Sequence, residues 1–237
     1  MKIMIIGAGR AGSSFAAALG TSHDVSLVHH HSVPSCGAVD LVLLCVPDDV
    51  IATVSTGLLV SEHTVVAHVA GSRGLEVLAT HVRVGSLHPL LTMPDARVGA
   101  ERLRGGVYCV DGDELLNEIV ASLGGRRIEV SSAHRALYHA TAATAANHLV
   151  ALMAHVQSLA QSAQLELTDF LPLARQALED VENLGPHRAL TGPAARGDAA
   201  TIAAHVIALP DNERATYTAL AHRAQRLAQE VESMWSA

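Results

Sequence analysis

Met1-Lys-Ile-Met-Ile-Ile-Gly-Ala-Gly-Arg-Ala-Gly-Ser-Ser-Phe-Ala-Ala-Ala-Leu19 decides the reading of the whole chain. Ile3 to Ile6 is a short apolar run that breaks at Gly7. Gly7, Gly9 and Gly12 then spell G-x-G-x-x-G, and an Ala-rich helical pattern follows. Strand, glycine loop and helix in that order are the context in which the three glycines signal a dinucleotide site. Gly7 permits the tight turn out of the strand. Gly9 lets a diphosphate approach the backbone, and Gly12 lets the helix pack close to the sheet. The helix N-terminus offers free N–H groups and the positive end of its dipole to phosphate. A glycine-bearing turn that binds nothing is the competing reading.

Working outward, Asp24 to Val28 reads as a second strand. NAD sites carry a carboxylate near its end that holds the ribose hydroxyls. This chain has His29, His30, His31 and Ser32 there. Loss of the acid removes a repulsion against a 2′-phosphate, so NADP is favoured over NAD, although no Arg is supplied to clamp that phosphate. Consecutive histidines on a strand point to opposite faces, which argues against a metal site. Residues 33–39 hold Pro34 and Gly37 and are too few for a normal crossover helix. Asp40 to Val46 reads as a strand buried on both faces. It ends at Val46-Pro47-Asp48, followed by a helix over about 48–59, with Asp48 as its N-cap or as part of a loop over the nicotinamide. Thr64 to Ala70 and Val82 to Leu87 are further buried strands, with a short helix over 75–80 between them. The second ends at His88-Pro89. Residues at the carboxyl ends of parallel strands line the ligand crevice, so His88 is either an acid, base or donor to substrate or a loop residue ordering the Pro89 turn. Gly106 to Val110 and Arg127 to Val130 read as edge strands flanking a helix over 113–123. Arg104, Asp111, Asp113 and Glu114 read as solvated charges.

From Ser132 the pattern is helical: 133–164, 168–183, 199–209 and 212–235, with Thr168 and Asp198 as N-caps. Two domains are expected, 1–131 and 132–237. The class is α/β, an N-terminal Rossmann-type parallel sheet domain followed by an all-α domain. Arg135 and His139 share a helix face at i, i+4. Asn147 lies two turns on, about 80° round at 3.6 residues per turn. A cation that polarises a carbonyl beside a His that moves a proton suits hydride transfer; a polar helix edge at a domain interface is the alternative. Arg196, in Leu190-Thr-Gly-Pro-Ala-Ala-Arg-Gly-Asp198, either clamps a substrate carboxylate or forms an interface salt bridge.

Composition sets the outer limits. Of 237 residues, 49% are hydrophobic but only 3% aromatic, so the core is built from Ala, Val and Leu. A formal net charge of -7 argues against a general nucleic-acid binder. The fifteen histidines make charge change steeply between about pH 7 and 6. Cys36, Cys45 and Cys109 have no metal-ligand spacing and an odd count, and read as free thiols in a reducing compartment. No basic-then-apolar leader precedes the first strand, so a cytoplasmic location is expected. The apolar stretch 139–160 contains His139, Asn147, His148 and His155, which argues for a buried helix and against a membrane span. Its many Ala positions and apolar character predict a homodimer through the helical domain.

Taken in order, Ile6-Gly-Ala-Gly-Arg-Ala-Gly12, Leu44-Cys-Val-Pro-Asp-Asp49, His68-Val-Ala-Gly71, Leu87-His-Pro-Leu90, Ala136-Leu-Tyr-His-Ala140 with Asn147, and 190–198 resemble Rossmann-like proteins with a C-terminal helical domain of uncharacterised function. That group sits in the 6-phosphogluconate dehydrogenase-like superfamily, with prephenate dehydrogenase, pyrroline-5-carboxylate reductase and deazaflavin-dependent NADP oxidoreductase. The resemblance implies a cofactor cleft at Gly7, Gly9, Arg10, Ala11 and Gly12 and at Val46, Pro47 and Asp48; His30, Ser32 and Gly71 are further candidates for cofactor binding. It places His88, Tyr138 and His139 at the nicotinamide end, with Arg135, Asn147, Tyr138 and Arg196 toward substrate, and implies a helical dimerisation domain. One departure matters. The group has Lys-Ala-Leu-Tyr-His where this chain has Arg135-Ala-Leu-Tyr-His139. Arginine stays charged and is a poor general acid or base, so proton transfer falls to His139 or His88. The resemblance implies an NAD(P)-dependent oxidoreductase acting on a small carbonyl, imine or hydroxy compound. The alternative is a weak or inactive dinucleotide-binding, regulatory homodimer.

Overall fold

The β-branched and leucine-rich runs of the first half form strands because both of their faces find a cover. The computed structural model describes residues 1–29 and 38–235, with side chains as far as residue 230. The strands are Lys2–Ile6 (β1), Asp24–Val28 (β2), Leu41–Leu44 (β3), Val65–His68 (β4), Arg83–Pro89 (β5), Val107–Gly112 (β6) and Arg126–Ile128 (β7). Among the described residues they make one sheet in the order β2-β1-β3-β4-β5-β6-β7. The first five are mutually parallel, β6 runs antiparallel to β5, and β7 runs parallel to β6.

Alternation along each strand divides the core between two faces. On one, Ile3, Ile5, Leu41, Leu43, Val65, Ala67 and Leu87 pack under helices α1 (Arg10–Leu19), α3 (Ala96–Leu103) and α4 (Leu115–Ser122), which contribute Phe15, Leu19, Leu103 and Ile119. On the other, Met4, Ile6, Val42, Leu44 and Val66 meet Ile51 of α2 (Ile51–Thr56) and Leu78 of the 3-10 turn Leu75–Leu78. Burial on both faces is why these strands read as continuous apolar runs.

Four local expectations are corrected. Asp48 does not cap α2, whose N-cap is Val50, because the Asp48 carboxylate accepts a hydrogen bond from Ser72 Oγ. β6 is an interior strand, not an edge. Helix α3 has no counterpart in the sequence reading: its three buried residues, Gly99, Ala100 and Leu103, are hidden among Arg97, Glu101 and Arg102. Gly99 faces Ser14 so closely that a Cβ there would lie 2.0 Å from its Oγ. Thr168 is not the cap of its helix: Glu166, two residues earlier, is the N-cap and forms a capping box with Asp169.

The chain divides into two compact units, Met1–Ala146 and Asn147–Ala237. The first ends in the 3-10 turn Ser132–His134 and helix α5 (Arg135–Ala143). A π turn, Thr144–His148, interrupts the long helix expected over 133–164. The second unit is helical: α6 (Leu149–Ser162), α7 (Leu167–Leu184), α8 (Pro186–Ala189), α9 (Gly192–Ala195), α10 (Ala199–Ala208) and α11 (Arg214–Trp235). Pro186 and Pro193 sit in the first turns of α8 and α9, where a missing N–H costs nothing. Asp198 caps α10 by accepting from the Thr201 N–H, as the sequence predicts. Among the described residues no helix is long and apolar enough to cross a membrane. Cys45 and Cys109 are buried free thiols. The shortened crossover, His30, His31, Ser32 and Cys36 lie outside the described residues.

Candidate functional site

The loop from β1 to α1 is shaped by what surrounds its glycines. Gly7 has φ +111°, and a Cβ on it would lie 2.4 Å from the Cys45 carbonyl oxygen. A Cβ on Gly12 would fall 1.8 Å from the carbonyl oxygen of Gly7. These two positions are closed by the fold itself. Gly9 is different: its absent Cβ would meet nothing within 4 Å. Gly9 is also the N-cap of α1, and among the described residues no side chain caps the open N–H groups there. Arg10 is exposed beside it, and Ala11 is half-buried. An open backbone cradle at an uncapped helix N-terminus fits a diphosphate. Val46 is buried in the adjoining strand end, whereas Pro47 is exposed and Asp48 half-buried.

Three strands away, register builds a polar row. His68 of β4 pairs in register with Ser86 of β5, and Ser86 with Asp111 of β6. Two residues further along β5, His88 stands opposite Cys109. Helix α5 covers both rows. Arg135 is 4% exposed and places Nη2 2.9 Å from the Asp111 carboxylate and Nη1 3.5 Å from Ser86 Oγ. One turn on, the Tyr138 hydroxyl lies 2.7 Å from His88 Nδ1, with the rings edge to face. His139 reaches His88 with ring centroids 6.1 Å apart. Both imidazoles abut Gly71, where a Cβ would lie 2.7 Å from His88 Nε2 and 2.8 Å from His139 Cδ2. Only glycine fits between them.

The electrostatics follow from burial. Desolvation first, then the neighbouring His139 and Arg135, lower the His88 pKa to about 4, so its imidazole is neutral at ordinary pH. Burial pushes the Tyr138 phenol up to about 12. Burial also raises the Cys109 thiol, which hydrogen-bonds with Tyr138. His68 is fully buried, and desolvation lowers its pKa.

The structure thus gathers His88, Tyr138, His139 and Gly71 into one cluster and sets Arg135 behind them in an ion pair. Asn147 is exposed on the π turn and Arg196 is exposed after α9, both in the second unit. The angular extrapolation from His139 to Asn147 does not apply across a π turn. Asp111 and Asp113 are corrected from solvated charges: Asp111 neutralises Arg135, and Asp113 takes two hydrogen bonds of 2.8 Å from Arg83. Sequence reasoning also passed over His68, Ser86 and Cys109 as parts of the cluster. The signal was present in the strand alternation His68, Ser86, His88, but it needed the antiparallel register of β6 to be read.

Residues 108–224 match the model of a family described as a domain of unknown function (DUF2520). No curated protein matches the chain in sequence. Among solved structures, a candidate NADP oxidoreductase from Bacteroides fragilis is 21% identical with a TM-score of 0.79, over 95% of this chain and 98% of that one. A reductive aminase from Aspergillus terreus in complex with NADPH and ethyl levulinate is 15% identical with a TM-score of 0.68, over 98% and 99%. A pyrroline carboxylate reductase from Plasmodium falciparum with NADP bound is 12% identical with a TM-score of 0.61, over 96% and 98%. The chain has the fold of Rossmann-type proteins with a C-terminal helical domain, as the quoted motifs imply.

Proposed function

We propose that this chain is an NAD(P)-dependent oxidoreductase acting on a small carbonyl, imine or hydroxy compound. The observation that carries the reading is the open, uncapped backbone at Gly9, at the same carboxyl end of the sheet as His88, Tyr138 and His139. The similar structures that hold NADP or NADPH support a nicotinamide cofactor, and the lack of an acid at 29–32 favours NADP. Bound over Gly7 to Gly12 and along Val46-Pro47-Asp48, the reduced nicotinamide would supply a hydride. The chain's own part is to hold and move a proton. In this reading the Tyr138 hydroxyl, 2.7 Å from His88 Nδ1, donates to that nitrogen, which puts the proton of neutral His88 on Nε2, beside Gly71. That N–H would hydrogen-bond the substrate oxygen or nitrogen and hold a proton at the reacting atom. Arg135 acts from behind as a fixed charge. Asn147 and Arg196 belong to the substrate side of this reading, and a homodimer built through the helical unit completes it.

The burial of Arg135 in its ion pair favours a second reading, in which the dinucleotide binds without turnover. Thermal melts with millimolar NADPH, NADH, NADP and NAD test both. A ligand at about 100 times its Kd adds roughly 2.7 kcal/mol, a shift of several degrees. The parent protein should show it, and Gly9→Ala, whose φ of -77° suits alanine, should fold yet lose it. Binding without oxidation of the reduced nucleotide by a panel of imines and ketones would support the second reading. No shift with any nucleotide would sink both.

A further inference from the structure

His68 is a buried imidazole that takes no part in the proposed proton path. Histidine at such a place costs desolvation unless both nitrogens are satisfied. Here both are, and by one short segment. Nδ1 lies 3.2 Å from the Ala70 N–H, and Nε2 lies 3.1 Å from the Gly74 carbonyl oxygen. The partners fix the roles: Nδ1 accepts from an N–H, and Nε2 donates to a carbonyl. His68 is therefore held as one neutral tautomer, with its proton on Nε2.

The segment that folds around this ring is residues 70–74. It carries Gly71, whose backbone is the seat of His88 Nε2 and His139. It also carries Ser72, whose hydroxyl donates to Asp48 on the cofactor-side loop. The turn is thus pinned at one place from beneath, touches the proton-handling imidazole at another, and ties to the loop after β3 at a third. Arg135 from α5 disfavours a charge on His68, while Asp48 and Glu76 oppose that effect more weakly than burial.

We propose that His68 is the positioning residue of this site: its two ring nitrogens clamp the 70–74 turn, and through Gly71 that turn sets the place of His88. The proposal rests on the reading of His88 as the proton-handling group, but its structural core stands apart from nucleotide binding. A His68 that merely filled space would, when replaced, move His88 only by the loss of its own electrostatic effect, equally in every neutral variant. A clamp would not.

The test is nitrogen-15 NMR of the imidazoles in the full chain without nucleotide. In the parent protein His68 should show a protonated Nε2 and a bare Nδ1; the opposite tautomer, or a charged ring at neutral pH, overturns the proposal. His88 is then titrated in the parent, His68→Asn and His68→Leu. Asparagine keeps an acceptor for the Ala70 N–H, and leucine keeps neither bond. The groups facing His88 are His139, Arg135 and Tyr138 from α5, Cys109 from β6, His68 from β4 and Asp48 from the loop after β3. Of these, only His68 is altered. Release of the turn should admit water and raise the His88 midpoint by roughly one pH unit or more in His68→Leu, with His68→Asn between. Should the leucine variant not fold, the asparagine variant carries the comparison. Variants that fold, melt lower and shift His88 by the same amount, or not at all, would reduce His68 to packing. Movement of His88 in a protein that shows no nucleotide shift would keep the clamp and discard the oxidoreductase.

Discussion

At the scale of single residues, His88, His68 and His23 share one property: burial holds each below the ordinary histidine value. The consequence for stability has a definite sign. With the folded pKa depressed, the unfolded chain takes up protons first as pH falls. These groups therefore contribute fully above about pH 6.5, and their contribution is lost as pH drops from there toward the folded values. For His88, held near 4, the loss across that interval is about 3 kcal/mol at most. Denaturant melts should show stability falling from about pH 6.5 to 4.5, and His88→Gln should fall less steeply; equal slopes would contradict the neutral, half-buried His88. Gly7, Gly12 and His88 were legible in the sequence because their signals are local, a turn spacing and the end of an apolar run. His68 and Asp111 were not, because each acquires its role from a residue many positions away, across a strand pairing that no local pattern encodes.

At the scale of elements, α5 is held to the sheet by an unequal ion pair. The Arg135 side chain is 5% exposed while its partner Asp111 is 41% exposed. Arg135 Nε is buried with no hydrogen-bond partner among the described residues. The guanidinium thus relies on Asp111 for its neutralisation. Removing one partner of a buried pair costs about 3–5 kcal/mol, because the other charge is stranded. Asp111→Ala should cost near the lower end of that range, since water reaches the carboxylate edge. It should also loosen α5, seen as faster hydrogen exchange over 135–143. A change within about 0.5 kcal/mol would mean that Arg135 finds another anion. Element types were readable wherever apolar runs were long, as in β1, β3 and β4. The α3 helix escaped because three buried residues among charged ones give too weak a stripe. The π turn escaped because a period of 3.6 extends smoothly through Ala, Thr and Asn.

At the scale of the molecule, the class was legible from one composition shift: β-branched strands up to about residue 130, Ala-rich helices after it. The same Ala-rich composition explains why the helical unit presents an unfinished core. Among the described residues of Asn147–Ala237, Ala160 is the single buried hydrophobic side chain. Val150 of α6 is 70% exposed, Leu173 of α7 64%, and Ile207 of α10 77%. Helices that bury so little apolar area offset little of the conformational entropy of ordering them, and a covering surface would complete the core. A second copy of the chain is the occupant the proposed reading calls for. Light scattering at micromolar concentration should give twice the mass of 24.7 kDa. Melting should depend on concentration, since tenfold dilution of a dimer costs about 1.4 kcal/mol in association. Val150→Glu and Ile207→Glu should each shift the population toward monomer and lower the melting temperature, whereas Val82→Glu, at an isolated 81% exposed position on the sheet unit, should leave the mass unchanged. A monomer with a cooperative, dilution-independent melt would show instead that the helices hold together without a partner, and the dimer would have to be abandoned.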